Sequence, residues 1–322
     1  MSTTVSSRIS GLPPVAAGRA ELLRALGAVA GSPPPHCGPA AAGLGLPEPT
    51  RAEHTAVFVL SAPPHAAIHL GADGKLGGDG LDRVAGFWRA LGLSPPPDAD
   101  HLGVLLMLYA ELGDAESQAR GERTRGQLRR ARTALLWEHL WSWAPGYLTA
   151  VARLGIPSVR LWARLALRAL TREAREAGAP AALPLALRAA PPGLDPGGAG
   201  TAAGNGAGTE AAARAADAHL PDVLLAPVRS GIVLTREDLR RAATAGGTGY
   251  RIGERRYALQ AMLSQDAAAT LGWLSQFASR WAGWHSEQQP VAGPDPRCWW
   301  ADRAAATAVA LHELQRRIAG RT

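Results

Sequence analysis

The stretch Pro95-Pro96-Pro97-Asp98-Ala99-Asp100-His101-Leu102-Gly103-Val104-Leu105-Leu106-Met107-Leu108-Tyr109-Ala110-Glu111-Leu112 decides how this chain is read. A proline-rich turn, through which no regular helix propagates, runs into an Asp-His pair that opens an apolar run. Leu102, Leu105, Leu106, Tyr109 and Leu112 recur at the spacing of one helical face, so the sequence predicts a helix over about 99–115. Asp98 or Asp100 is the expected cap, since a short carboxylate there accepts from free amides of the first turn. Loss of such a cap costs only ~1 kcal/mol, so Asp100 and His101 are expected to matter more for binding than for folding.

Helical spacing extends in both directions. Upstream, residues 17–30 read as a short helix, and Val84, Phe87, Trp88 and Leu91 as another that stops before Pro95. The run His54-Thr-Ala-Val57-Phe58-Val59-Leu60 is ambiguous, its β-branched residues favouring a strand. Downstream, helices are expected over about 116–143, from Tyr147 to Val151 and from Leu161 to Leu170, with breaks at Pro145 and Gly155-Ile156-Pro157. None of these stretches demands a sheet, which points to an all-α bundle.

Residues 178–217 differ in kind. Gly, Ala and Pro dominate, and too little apolar surface is present to offset the entropy of ordering, so the segment is expected to be a disordered linker. A helical C-terminal region, 218–322, follows. In it Thr235-Arg-Glu-Asp238 fits a capping box with Asp for the usual Glu, and Trp273, Leu274, Phe277, Trp281 and Trp284 form a stripe expected to be core. The expected organisation is a leader (1–16), a helical domain (17–177), the linker and the C-terminal region.

The chain has 322 residues, enough for one large or two ordinary domains, and 47% are hydrophobic. No run approaches the ~20 apolar residues of a membrane span, so no stable membrane insertion is expected. The first ten residues lack the charged-then-apolar pattern of a secretory signal, which points to the cytoplasm. Cys37 and Cys298 are too few for a disulfide scaffold and are expected to be reduced. A net charge of +7 raises the question of nucleic acid, but Lys75 is the single lysine and no dense basic run exists, so the charge reads as compositional bias.

Signatures of catalysis are missing: no Gly-x-Ser-x-Gly elbow, no His-Glu-x-x-His and no phosphate-binding glycine loop. Gly246–Gly253 reads as a turn and Gly253–Tyr257 as a solvated helix start. His65 and His69, four residues apart, lack an evident third metal ligand, and Asp98, Asp100 and His101 lack converging partners elsewhere. No cofactor and no metal are therefore expected.

Three segments together resemble the TorD/DmsD/NarJ family of chaperones for molybdenum-cofactor enzymes. His54-Thr-Ala-Val-Phe58 through Pro63-Pro64 resembles the family's early Y-x-x-L-F…P element, with His54 for tyrosine. Asp100-His101 followed by Leu105, Leu106, Met107 and Leu112 resembles its central Asp-His motif, with Pro97 where the family has glutamate. Glu138-His139-Leu140-Trp141-Ser142-Trp143-Ala144-Pro145 resembles H-L-x-x-W-x-P. The resemblance covers about residues 20–175 and implies an all-helical, non-enzymatic chaperone. Its implied partner is the catalytic subunit of a molybdopterin oxidoreductase, held in the cytoplasm by its twin-arginine signal peptide or in its apo form until cofactor is inserted. The implied peptide site comprises Asp98, Asp100 and His101 with Trp88 and Tyr109. Carboxylates would take the two guanidinium groups and a groove between helices the apolar stretch. A basic helical nucleic-acid-binding or regulatory protein is the alternative. A metal-dependent hydrolase built on Asp98, Asp100 and His101 is a third.

Overall fold

The structure, a computed structural model, describes residues 14–194, 219–251, 253–287 and 293–320. Nearly all of the expected leader, and the expected linker from residue 195 on, lie outside the described residues. Among those described there is no β-strand, only one isolated antiparallel bridge between His65 and His101. The chain is all-α.

At the centre runs the helix Leu102–Gln118. Leu102, Leu105 and Leu106 are wholly buried, and Leu108, Tyr109 and Leu112 nearly so, leaving Met107 and Glu111 on its exposed edge. Pro14–Gly31 packs along it. The two backbones meet at glycines: a Cβ on Gly27 would stand 2.8 Å from the Gly103 carbonyl oxygen, and one on Gly103 2.6 Å from that of Gly27. Only residues without a side chain allow this approach. Trp162 anchors the same layer by donating its Nε1–H to the Leu26 carbonyl (3.0 Å). Its own helix, Pro157–Ala177, opens on proline and turns Val159, Ala163, Ala166 and Leu170 inward, with arginines on the opposite face.

Where the sequence left strand or helix open, at 54–60, the chain forms neither a strand nor an ordinary α-helix. Arg51–His54 is α-helical behind a capping box of Thr50 and Glu53, and Thr55–Ser61 then widens into a π-helix in which Ala62 N–H donates to the Val57 carbonyl, five residues back (2.8 Å). A second π-helix, Leu135–Leu140, follows Glu122–Ala134, with Trp141 N–H donating to the Leu136 carbonyl (2.6 Å). The single helix expected over 116–143 is thus three pieces, broken first at Ala119–Gly121, where the backbone turns extended, and rewound at Leu135. The widened turn suits bulk: Leu135, Leu136, Trp137, His139 and Leu140 are all buried.

The linker expectation is corrected for residues 185–188. Leu185–Arg188 forms a helical turn with Ala186 and Leu187 buried in the first core, and Leu185 N–H donates to Glu138 Oε2 (2.7 Å). Two apolar side chains and one carboxylate acceptor suffice to order a short piece of a Gly/Ala/Pro-rich segment.

A second core is built on Ala267–Ser286 and Pro296–Ala319, with the Trp281 and Phe277 rings inside as the stripe implied. The Thr235–Asp238 capping box is present. The two cores meet along a seam. Trp300 Nε1–H donates to the Ser142 carbonyl (2.8 Å), Trp141 Nε1–H reaches Asp295 Oδ1 (3.4 Å), and Trp300 counts among the first core's residues. Among the described residues no helix is long and apolar enough to cross a membrane.

The glycine crossing makes a signed prediction. Gly27→Ala should destabilise by about 1–3 kcal/mol, because a methyl group meets backbone that cannot yield. Gly18→Ala, on the same helix with nothing within 4 Å of its Cβ position, should stabilise by about 0.5–1 kcal/mol. Urea denaturation of both variants checks the pair; equal effects would contradict the close approach.

Candidate functional site

The Asp-His pair lies where the two family-like turns touch. Ala66 N–H donates to the Asp100 carbonyl (3.1 Å) and Leu102 N–H to the Pro64 carbonyl (2.7 Å), which zips residues 64–66 to 100–102. Asp100 is 3% exposed. Its Oδ1 accepts from His65 Nδ1–H (3.2 Å) and its Oδ2 from Ala67 N–H (2.9 Å). The carboxylate therefore caps the neighbouring Ala66–Leu70 helix, whose own N-cap residue, His65, makes no side-chain cap bond.

The cap of Leu102–Gln118 is not an aspartate, as the sequence suggested, but His101, whose Nδ1 accepts from Gly103 N–H (3.0 Å). With Nδ1 accepting, the neutral ring carries its proton on Nε2. The His65 and His101 rings meet edge to face, their centroids 5.0 Å apart. Asp98 is exposed, and its carbonyl accepts from His101 N–H (3.0 Å).

Electrostatics follow from this packing. Burial favours the neutral form of His101 and His65 adds to that, against the pull of Asp98 and Asp100, leaving its pKa at about 4. Burial would raise the Asp100 carboxyl, but the bonds from His65 and the Ala67 amide hold it below the ordinary range. His69, stacked on Trp143 with centroids 5.0 Å apart, is lowered to about 3 by burial and then by Arg255 and His65.

Of the five residues singled out from sequence, Asp98, Asp100 and His101 share this corner. Tyr109 does not. Eight residues along its helix, roughly 12 Å at 1.5 Å per residue, it is buried and donates its hydroxyl to Glu173 Oε2 (3.0 Å), beside Arg19 and Arg132. Trp88 lies on the Gly78–Ala90 helix, half-buried against the first core, its enclosed Nε1 without a partner among the described residues. The residue that sequence reasoning missed is His65. It stood there only as a partner for His69, but it starts its short helix in extended backbone and turns to Asp100 instead. Its signal was the Pro63-Pro64-His65 turn, whose counterpart is the turn at Pro95–Asp98.

The corner can hold a turn rigidly and offer one exposed carboxylate beside two partly exposed imidazoles. Among the described residues no group of three or more His, Cys, Asp or Glu side chains is placed to hold a metal ion. Both cysteines are free thiols.

The three segments that drew the sequence comparison converge here. Tyr147 donates its hydroxyl to the Ala62 carbonyl (3.1 Å), and His69 packs on both Trp143 and Tyr147. A family model described as the nitrate reductase delta subunit matches residues 14–148. No curated protein matches the chain.

Buried neutral histidines set a pH dependence. His101 and His69, with His139 and His285 at about 4, bind protons less readily folded than unfolded. Their contribution is fully present above the unfolded value of ~6.5 and is lost as pH falls from there towards 4, at up to about 1.4 kcal/mol per pH unit for each. The melting temperature should therefore drop between pH 7 and pH 5. His101→Asn, which keeps a cap without titrating in that range, should flatten the slope; an unchanged slope would contradict the assignment.

Proposed function

We propose that this chain is a molybdoenzyme-maturation chaperone of the NarJ/TorD type, a reading supported by the match of residues 14–148, under half of the chain, to the family model described as the nitrate reductase delta subunit. Its partner is the catalytic subunit of a molybdopterin oxidoreductase, met in the cytoplasm before cofactor insertion, and its handle is that subunit's twin-arginine signal peptide. The chain acts by binding and carries out no catalytic step of its own. The observation that supports this best is the convergence of 62–67, 98–102 and 143–147 on one corner, all within the matched residues.

Within that reading the site residues divide their work. Asp98, exposed, receives a guanidinium group, where a fork of N–H donors pairs with both oxygens. Asp100 and His101 position the turn that carries it. Val59 and Leu60, 59% and 50% exposed on the neighbouring π-helix, and Leu93, 44% exposed just before the proline run, supply apolar surface for the rest of the peptide. Trp88 backs the helix leading into that turn, and Tyr109 holds the far end of the bundle through Glu173. A local carboxylate is needed because the chain as a whole carries +7 and repels a basic peptide at long range.

A peptide with two arginines and an apolar stretch should bind saturably. Raising salt from 0.1 to 1 M, which shortens the screening length from ~10 Å to ~3 Å, should weaken it moderately without abolishing it. Asp98→Asn should cost roughly 0.5–1.5 kcal/mol of binding while leaving the melting temperature unchanged. Calorimetric titration in parallel with a random DNA duplex checks this. Tight DNA binding with a steep log-linear loss in salt, and no peptide binding, would favour the nucleic-acid alternative instead.

A further inference from the structure

Along the seam between the two cores lies a cavity of about 160 Å³ that the chaperone reading does not use. Arg153, just past the Ala144–Ala152 helix, forms one wall; Arg241 and Arg280 come from the C-terminal helices, and Trp273, Phe277 and Trp284 add aromatic rings. Every one of these residues lies beyond the family-matched stretch 14–148.

Three observations describe what such a cavity takes. The first is charge. The lining holds three guanidinium groups against one carboxylate, Asp238, and that carboxylate already accepts from Thr235 N–H (2.9 Å) and the Thr235 hydroxyl. Arg241 is paired with Glu237 (3.2 Å) and lies 4.0 Å from Asp238, whereas among the described residues no ion pair joins Arg153 or Arg280 to a carboxylate. Glu287 and Asp238 attract Arg153 from a distance while Arg280 and Arg241 repel it.

The second is stacking. Arg153 Cζ sits 3.3 Å from the Trp284 ring centre, and Arg280 Cζ 5.7 Å from those of both Trp273 and Phe277. A guanidinium lying over a ring keeps its N–H edge free to fork an oxyanion. The third is an unsatisfied donor. Trp281 lines the same cavity at 1% exposure, and its buried Nε1–H has no partner among the described residues. A buried donor left unpaired is unfavourable, and an acceptor at the site would relieve it.

We propose that this cavity binds a small aromatic phosphate monoester. The phosphate, carrying about −1.5 to −2 charges near neutral pH, suits a lining in which Arg153 and Arg280 have no ion-pair partner among the described residues. Its oxygens are held by Arg153, Arg241 and Arg280. The ring lies among Trp273, Phe277 and Trp284. The volume, below the ~300–1,000 Å³ of pockets for drug-sized ligands, limits the occupant to roughly one ring and its charged group. Since Arg153 belongs to the first half and the other arginines to the second, an occupant would tie the two together across the seam.

The test is calorimetric titration of the full chain at pH 7.5 with phenyl phosphate, inorganic phosphate and phenol. Phenyl phosphate should bind saturably, and the other two at least tenfold more weakly, one lacking the ring and the other the charge. Arg153→Gln and Arg280→Gln, both at exposed positions, should each weaken phenyl phosphate at least fivefold with the melting temperature unchanged. Trp281→Phe should weaken it as well, provided the variant melts cooperatively. Absence of saturable phenyl phosphate binding would overturn the proposal, and so would equal affinity for inorganic phosphate or unchanged affinity in the Arg153→Gln/Arg280→Gln double variant. None of these results bears on peptide binding at the Asp98 corner.

Discussion

A carboxylate taken out of water must be given donors or it will not stay charged. Asp100 is given two, His65 Nδ1–H and Ala67 N–H, and its own carbonyl takes a third bond, from Ala66 N–H. Those bonds fix the loop at 98–101 against the loop at 64–67. Once that is done, the Ala66–Leu70 helix has its missing cap and His69 is held on Trp143 and Tyr147. Tyr147 in turn holds Ala62 at the end of the π-helix. The packing of the bundle's middle thus passes through one buried side chain, and so does the placing of exposed Asp98.

Much of this was legible in the sequence. The central helix is announced by Leu102, Leu105, Leu106, Tyr109 and Leu112, and the C-terminal capping box by Thr235 and Asp238, because both signals are local. What local signals do not carry is who partners whom across the fold. Asp100 looked like a cap for the helix that follows it, and it caps another helix instead, while His101 takes the local task. Tyr109 shares the helix of the Asp-His pair but answers to Glu173, on a helix far along the chain. The π-helix at Thr55–Ser61 was unreadable for a related reason: its β-branched residues have a strand preference that tertiary packing of Val57 and Phe58 overrides.

The arginine content shows the same division between composition and placement. Some arginines pair with nearby carboxylates, as Arg24 does with Glu21, Glu111 and Asp114. Such pairs contribute little to stability. Arg153 and Arg280 differ because rings rather than carboxylates receive them. A net charge of +7 therefore says little about partners until each guanidinium is located.

The dependence on Asp100 is tested most directly by the Ala67 amide. Replacing Asp100 with alanine strands both Ala67 N–H and His65, so the cost should exceed that of an ordinary cap and reach about 2–3 kcal/mol. Hydrogen exchange at the Ala67 amide, read together with denaturant stability at pH 7, should show strong protection in the parent chain. In Asp100→Ala that protection should fall along with stability, and Asp100→Asn, which keeps one acceptor, should lie between. An Ala67 amide equally protected in Asp100→Ala, with a stability loss of no more than ~1 kcal/mol, would contradict the account.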